Sequence, residues 1–551
     1  MNEEMKKNDF LFALICSFII ALILTLDLFV SRGQSFTFDG PTHIQTIAQF
    51  VQGLRSGDFP VRWGGGFARY GMPIPIISQQ VTSYLGAAIY FLVGNLEFSY
   101  HLLYFIGAFA SCVLFYVFLR NHVAHWPAIA GTILFNFAPY RIANIYIRGA
   151  LPEFFASSFV ILILFSLYLC IAKGERRAIS LCALATALLM LAHPFVAIIS
   201  LPFIGVYAIY LLTQHRQHAK TIIADLFLAG IIGVLLSAYY IIPLKLELKY
   251  FYAGLSDTQF ATGNALSVRN FISETWKYFG NDVATRAHIH TGGIIESAIL
   301  LLGIIVALID YVKKKRISFL TTMCGMGVLY VVLTFPIVEW LYTHTPLGNI
   351  QHQWRMLTGY IFIPPIVCAL LLSRLKNSYM HVVGVIAMIV VIAFLRFPQL
   401  YTKNIRTAAE KEYFVTDDNR HGTVLNTIWM GEVRDYPYRK NKGEIFEGKG
   451  TIISSEIKNA RHLFRVHAES DVKLADYTFY FPGWHAYVDG TETDIQFQDP
   501  SYRGVITVAV PQGDHELEVV FKNTKVRLLG NVLSLVGILG LGVLYVKMRK
   551  Q

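Results

Sequence analysis

The sequence predicts an α-helical polytopic membrane protein of about 12 transmembrane helices, with a C-terminal extracytoplasmic β-sandwich. Three observations predict it. Of 551 residues, 54% are hydrophobic and only 15% charged, and the mean hydropathy is +0.48; a soluble surface needs more charge than this. Apolar runs of about 20 residues, enough to cross a bilayer, recur along the chain. Past residue 397 the pattern changes to alternation of apolar and polar residues broken by turn signals, as in half-buried strands.

The helices take their order from the basic clusters. Lys6 and Lys7 precede an apolar run over 11–30. A signal peptide has the same charge order, but this run is long and no small-residue cleavage site clearly follows, so we expect an uncleaved helix with its N-terminus inside. A long outer loop, 31–98, comes next; within it 82–94 is apolar but short, and is expected to lie at the interface or re-enter. Further crossings are expected over 99–119, 126–140, 154–172, 178–193, 195–213 and 221–243. After a second outer loop, 244–292, they continue over 293–312, 318–342, 357–373, 378–396 and 526–546. This order puts Arg120, the Lys173–Arg177 cluster, Arg216 and Lys220, Lys313–Arg316, Arg374 and Lys376, and the C-terminal Lys547, Arg549 and Lys550 on the cytoplasmic side. Three parts result: a transmembrane domain over 1–396, a β-rich extracytoplasmic domain over 397–525, and a final helix with a cytoplasmic tail over 526–551. No repeat of fixed period is present.

Within the β-rich part, His462–His467 and Val505–Val510 alternate as strands do. Asp489-Gly490 suits a tight hairpin turn, and Pro482-Gly483 and Gln512-Gly513-Asp514 are further turn signals. The net charge of +11 is accounted for by Lys and Arg at helix ends, and with no RNA-binding motif a nucleic-acid partner is not expected. All six cysteines, Cys16, Cys112, Cys170, Cys182, Cys324 and Cys368, fall in apolar segments, which leaves no disulfide framework and no cysteine-based zinc site.

The candidate chemistry lies in the expected outer loops. The first opens Phe36-Thr37-Phe38-Asp39-Gly40-Pro41-Thr42-His43. Asp39 could take a proton from an acceptor hydroxyl or ligate a divalent cation such as Mg or Mn, and in a helix His43 would share its face. The plainer reading is a turn that starts an interface helix. Arg62, Trp63, Gly64-Gly65-Gly66, Arg69 and Tyr70 follow; the glycines could admit a phosphate or be simply a flexible loop. The short loop from Tyr140 to Glu153 carries Arg141, Arg148 and Glu153. Positive charge there runs against the orientation rule, so Arg148 is a candidate for phosphate, with an Arg148–Glu153 ion pair as the alternative. Glu153 is a second candidate acid or metal ligand. His193-Pro194 is either a Pro kink with a hydrogen-bonded His or a functional ionisable group near the bilayer. In Gln351-His352-Gln353-Trp354-Arg355, Trp354 is an interfacial anchor or a sugar platform, and Arg355 could hold a lipid phosphate. His288 and His290 have the spacing of a weak metal pair on a strand.

Phe38-Asp39-Gly40-Pro41-Thr42-His43, with Gly57-Asp58-Phe59-Pro60-Val61-Arg62-Trp63, resembles the first loop of bacterial GT-C-type glycosyltransferases, which use polyprenyl-phosphate sugars. The nearest resemblance is to the bacterial membrane family labelled 6-pyruvoyl-tetrahydropterin synthase-related, a label that implies no pterin chemistry for this chain. The run Phe479-Tyr480-Phe481-Pro482-Gly483-Trp484-His485-Ala486-Tyr487-Val488-Asp489-Gly490 is similar to a segment of related proteins, among them membrane glycosyltransferases that decorate lipoteichoic acid. Tyr502-Arg503-Gly504, Gly513-Asp514-His515-Glu516 and Trp354-Arg355 extend the likeness. The resemblance implies an acceptor-activating acid at Asp39 and a second acid in the next outer loop, for which Glu153 is the available residue. A strict Asp-X-Asp is absent from the first loop.

Glycosyl transfer from a polyprenyl-phosphate donor to an envelope glycan, lipid or protein, on the outer face of the cytoplasmic membrane, is therefore the expected activity. The β-domain would position the acceptor, with Trp484 and Tyr487 as candidate stacking residues and a place in the core as the alternative for Trp484. A flippase for lipid-linked glycans would show charges lining a path at mid-membrane depth. A non-catalytic envelope scaffold would tolerate Asp39→Asn but not deletion of 400–525.

Overall fold

The computed structural model describes residues 3–31, 33–35, 37–216, 219–252, 263–274, 290–402, 405–416 and 425–549. Its helices, in chain order, are α1 (Glu3–Val30), α2 (Gly40–Arg55), α3 (Gln80–Val93), α4 (Leu96–Arg120), α5 (His125–Asn136), α6 (Pro139–Tyr146), α7 (Leu151–Ala172), α8 (Ala178–Ala192), α9 (Pro194–Gln214) and α10 (Ala219–Glu247). They continue with α11 (Ile294–Lys314), α12 (Phe319–Thr334), α13 (Ile363–Leu372), α14 (Ser378–Arg396) and α15 (Lys525–Arg549). Short helical turns of four residues or so complete the bundle.

The helical membrane class holds, and the number of spans is smaller than expected. Among the described residues, 9 helices are long and apolar enough to cross, or up to 10 if the bent pair Phe319–Thr334 and Pro336–His344 is one span. The expected crossings at 126–140 and 178–193 are the shortfall. They fold as α5, of 12 residues, and α8, of 15. At about 1.5 Å per residue these rise roughly 18 and 22 Å, short of a core about 30 Å thick. Both are built into the bundle: α5 packs on α4, α13 and α14, and α8 on α7 and α10. Proline accounts for one end, because Pro139 stops the first helix and starts α6 three residues later. The bent pair turns by 82° where Pro336 follows Phe335.

Burial separates central from peripheral helices. The α7 span is 72% buried and Gln353–Leu372 is 78% buried, whereas the spans of α11, α14 and α15 are each only 22% buried. The last three present leucine, isoleucine and valine outward, as lipid-facing helices do. Helix α15 nevertheless docks closely on α10 along small residues. A Cβ on Gly530 would meet the Ala238 carbonyl oxygen at 2.9 Å, and one on Gly537 the Leu236 nitrogen at 2.6 Å. Between them Ser534 donates to the carbonyls of Leu235 and Leu236, both at 3.1 Å, and accepts from Tyr239 N–H at 2.8 Å. Small residues let the backbones approach, and the hydroxyl satisfies polar groups that lipid cannot.

The β-rich part contains β1 (Gly443–Glu447), β2 (Gly450–Ile457), β3 (Arg461–Ala468), β4 (Val472–Phe479), β5 (Trp484–Val488), β6 (Thr491–Thr493), β7 (Ile495–Gln496), β8 (Val505–Val510) and β9 (Gly513–Phe521). They form an antiparallel sheet of order β1-β4-β8-β7 and another of order β2-β3-β9-β5-β6. Phe464, Val466, Leu474, Ile506, Val508, Leu517 and Val519 fill the space between the sheets. The alternating segments read from the sequence are β3 and β8. Asp489 (φ 50°) and Gly490 (φ 79°) close the β5–β6 hairpin with Val488 opposite Thr491, as a tight turn with two left-handed residues requires.

The first long loop is not free-standing. Helices α2 and α3 fold within it, and the stretch between them joins the sandwich. Trp63 and Ile76 enter its core, while Phe67, Tyr70, Met72 and Ile74 cover the sheet that holds β4. Phe479 N–H donates to the Tyr70 carbonyl at 3.2 Å. The glycine run is a close-packing device and not a flexible loop: Gly65 N–H donates to Asn459 Oδ1 and Gly66 N–H to Gln49 Oε1, both at 2.8 Å. A Cβ on Gly66 would lie 1.8 Å from the Phe414 carbonyl oxygen. Gly66→Ala should therefore destabilise the protein by about 1–3 kcal/mol, the usual range for overpacking. Gly325→Ala, where a Cβ meets nothing within 4 Å, should not. Thermal unfolding of both variants in detergent checks this.

Candidate active site

Four separate segments converge around Asp39. The residue stands at the N-cap position of α2, with Pro41 in the first turn, yet its carboxylate makes no capping bond. Gly40 N–H is instead capped by Thr37 Oγ1 at 3.2 Å. Two backbone bonds fasten this turn to the loop after α6: Phe38 N–H to the Ile147 carbonyl at 3.1 Å and Asp39 N–H to the Arg148 carbonyl at 2.7 Å. Glycines make the approach possible. A Cβ on Gly149 (φ 67°) would stand 2.2 Å from Thr37 Oγ1 and 2.6 Å from Gly40 N. The Asp39 carboxylate is left partly exposed and, among the described residues, without a side-chain hydrogen bond.

Arg148 holds the next layer. Its Nη1 donates to Glu153 Oε2 at 2.8 Å, Asn144 Oδ1 at 2.6 Å and Tyr140 Oη at 3.0 Å. Glu153 is closed off on its other oxygen, where Oε1 accepts from Tyr140 Oη at 2.6 Å and Thr358 Oγ1 at 2.8 Å. The Arg148–Glu153 ion pair foreseen as an alternative is thus present, buried on both sides. Arg148 Nη2 and Nε make no hydrogen bond to the described residues. The guanidinium lies over the Trp354 ring, 4.7 Å from its centroid.

Trp354 is one ring of a stack. The His290 imidazole lies 3.7 Å from it at 16°, and the His352 imidazole 5.1 Å at 11°. Arg355 donates through Nη1 to the Ile350 carbonyl at 3.1 Å and Gln351 Oε1 at 3.0 Å, while its buried Nε has no partner among the described residues. Its guanidinium lies over Phe195, 5.2 Å from the centroid, in the first turn of α9. His193 stands between two helices and caps the second through Nδ1, which accepts from Val196 N–H at 3.4 Å.

These charges act on one another. Burial pushes the Asp39 carboxyl above its usual range; Arg148 and then Arg355 oppose this, and Glu153 adds to it. Burial and Arg148 pull the His43 imidazole down to about 3, so it is neutral at ordinary pH. Burial alone would disfavour the Arg148 charge, but Glu153, Tyr140 and Asp39 outweigh it and keep the group firmly protonated.

The structure therefore brings together Asp39, His43, Arg148, Glu153, His193, Trp354 and Arg355. It does not bring in Arg62, whose charged neighbours are Arg527 and Glu247. Arg141 is no loop cation: it is wholly buried and donates to Ser157 Oγ, Ser111 Oγ and Asn136 Oδ1 on α7, α4 and α5. Trp484 is no sugar platform. It is a core residue in edge contact with Trp63 at 5.1 Å. His288 lies outside the described residues, and His290 stacks on Trp354. The pattern of the sequence missed Tyr140, Asn144 and Thr358. The first two share a spacing of four with Arg148, a helical face that could have revealed them; Thr358 carries no such signal.

A divalent cation held jointly by Asp39 and Glu153 does not fit this donor set, because both Glu153 oxygens are already engaged. Among the described residues no group of three His, Cys, Asp or Glu side chains could hold a metal.

Comparison with known proteins places the chain. An uncharacterized protein of Lactococcus lactis subsp. cremoris (strain MG1363) is 23% identical over 354 residues, covering 61% of this chain and 56% of its own length. The chain thus spans about half of that relative. Among solved structures, the apo oligosaccharyltransferase of Archaeoglobus fulgidus aligns with a TM-score of 0.44 and 13% identity over 80% of this chain and 62% of that one. The arabinofuranosyltransferase AftD from Mycobacteria aligns with a TM-score of 0.41 and 15% identity over 73% and 27%. At such scores neither likeness bears on chemistry. The model of the 6-pyruvoyl-tetrahydropterin synthase related domain, described as a membrane protein, matches residues 81–401, more than half of the chain. The chain belongs to that family of membrane proteins.

Proposed function

We propose that this protein transfers a sugar from a polyprenyl-phosphate donor to a hydroxyl of a cell-envelope acceptor, on the outer face of the cytoplasmic membrane. The observation that carries the reading is the Asp39 carboxylate, fixed by its backbone, unbonded at its side chain, and beside two arginines with unused donors. The first-loop resemblance to polyprenyl-phosphate-using enzymes supports the same assignment.

In this reading Asp39 accepts the proton of the acceptor hydroxyl as its oxygen attacks the anomeric carbon. The bond from that carbon to the phosphate oxygen breaks, and the electron pair leaves with the polyprenyl phosphate. Arg148 and Arg355 hold the charge that develops there, through groups already in place. Trp354, stacked with two imidazoles, supports the Arg148 guanidinium that lies over its ring. Glu153 touches no substrate; it keeps Arg148 oriented. His43 and His193 line the site as neutral imidazoles or caps. No metal step is included; the two arginines supply the positive charge.

Reconstituted protein incubated with radiolabelled polyprenyl-phosphate sugars and an envelope extract tests this. The wild type should consume donor, and Asp39→Asn should lower kcat/KM by about 100-fold or more, the scale of lost general-base catalysis. Consumption that survives the substitution removes Asp39 from the role, and no consumption with any donor moves the reading to transport or scaffolding. The base must be ionised, and its pKa is raised, so kcat/KM should fall on the acid side at a pH above the ordinary aspartate value of about 3.9. A profile that stays flat until that value counts against Asp39. Chelation by EDTA should leave the rate unchanged; loss restored by Mg or Mn would show that a cation enters with the donor.

A further inference from the structure

Arg62 is a buried cation with too few partners. The first loop carries it down between three helices at the end of the bundle that bears the sandwich. Val61 N–H, beside it, donates to Tyr84 Oη of α3 at 3.0 Å. Among the described residues the Arg62 guanidinium gives a single hydrogen bond, Nη2 to Asn531 Oδ1 of α15 at 3.0 Å, and lies 5.7 Å from the centroid of the Tyr239 ring of α10. It is 6% exposed, and its buried Nε has no hydrogen-bond partner among the described residues.

The carboxylate that acts on it is already in use. Glu247 accepts Arg527 Nε at 3.0 Å on Oε2 and Thr524 Oγ1 at 2.9 Å on Oε1. Arg527 completes its bonds with the carbonyls of Pro482 and Lys522, at 2.7 and 3.2 Å. Two guanidiniums therefore face one carboxylate, and one positive charge remains. Burial and Arg527 pull Arg62 down only to about 10, so it stays charged. Arg141 meets its burial with three neutral oxygens, but Arg62 has one, and a buried charge so poorly bonded is stabilised by an anion at its unused donors. The surroundings say which kind. On α15, Asn531 is flanked by Leu528, Val532 and Leu535, exposed at 57, 48 and 60% on a membrane-spanning helix.

We propose that Arg62, with Asn531 and Tyr239, binds the phosphodiester of an anionic membrane glycerophospholipid whose acyl chains lie along α15. The planar guanidinium matches two phosphate oxygens through its unused donors, the neutral amide and phenol ring orient it, and the apolar helix face takes the chains. The lipid would neutralise the odd charge at the seam where the first loop, the sandwich and the last helix meet. The site is separate from the Asp39 cluster, and lipid retention should be unaffected by Asp39→Asn.

Full-length protein washed in detergent is examined by native mass spectrometry after adding phosphatidylglycerol. The wild type should retain the lipid and Arg62→Gln should retain it about tenfold more weakly, the loss expected for hydrogen bonds to a charged group. Equal retention by the variant overturns the proposal. Thermal unfolding of the wild type alone gives a second measurement that needs no variant. Phosphatidylglycerol should raise the midpoint, and diacylglycerol with the same chains should not; an equal rise overturns the phosphate assignment. Inorganic phosphate alone reproducing the full rise would make the ligand a free phosphate and overturn the lipid.

Discussion

The site depends on the interlock between the turn before α2 and the loop after α6. Two backbone bonds, with room for no Cβ at Gly149 beside Thr37 and Gly40, hold Asp39 against Arg148. Only glycine allows that approach, since a Cβ on Gly149 would overlap Thr37 and the next turn. Arg148 in turn fixes Glu153, and Glu153 reaches Thr358, so the order of the cluster runs outward from one backbone contact. An acid held by its main chain keeps its side chain free, which a capping aspartate cannot do.

Buried charge is the second constraint. Arg148 with Glu153, Arg396 with Glu296 and Arg527 with Glu247 are all pairs taken out of solvent. Such pairs add little net stability over apolar packing, but removing one partner is severe, so each fixes the geometry around it. Arg527 does so for the sandwich, joining the last helix to the carbonyls of Pro482 and Lys522. Arg141 does so with neutral oxygens alone and ties three helices of the bundle together. Conserving orientation through charge suits a site whose parts come from distant segments.

The sandwich and the bundle are not independent halves. The stretch between α2 and α3 supplies Trp63 to one side of the sandwich core and Tyr70 to the other. A displacement of the sandwich would be felt at the glycine run, and through Gln49 in α2, the helix that begins at Asp39. The β-domain is thereby coupled to the turn that presents the acid, whatever it also binds.

By itself the sequence determined the membrane class, the two strands β3 and β8 and the Asp489-Gly490 hairpin; of the site it offered only candidates, from which the fold gathers Asp39 and six others. Hydropathy, alternation and turn chemistry are local, so a few neighbouring residues suffice to express them. Only the tertiary structure decided that Arg62 leaves that group, that Arg141 and Trp484 are buried supports, and that two expected crossings are short helices wedged among longer ones. Those outcomes rest on partners far away in the chain: Glu153 and Thr358 are 205 residues apart, and Arg62 and Asn531 are 469 apart. A charged side chain reads the same in sequence whether it meets a ligand, a carboxylate or an amide; which one it meets is set by how the helices pack.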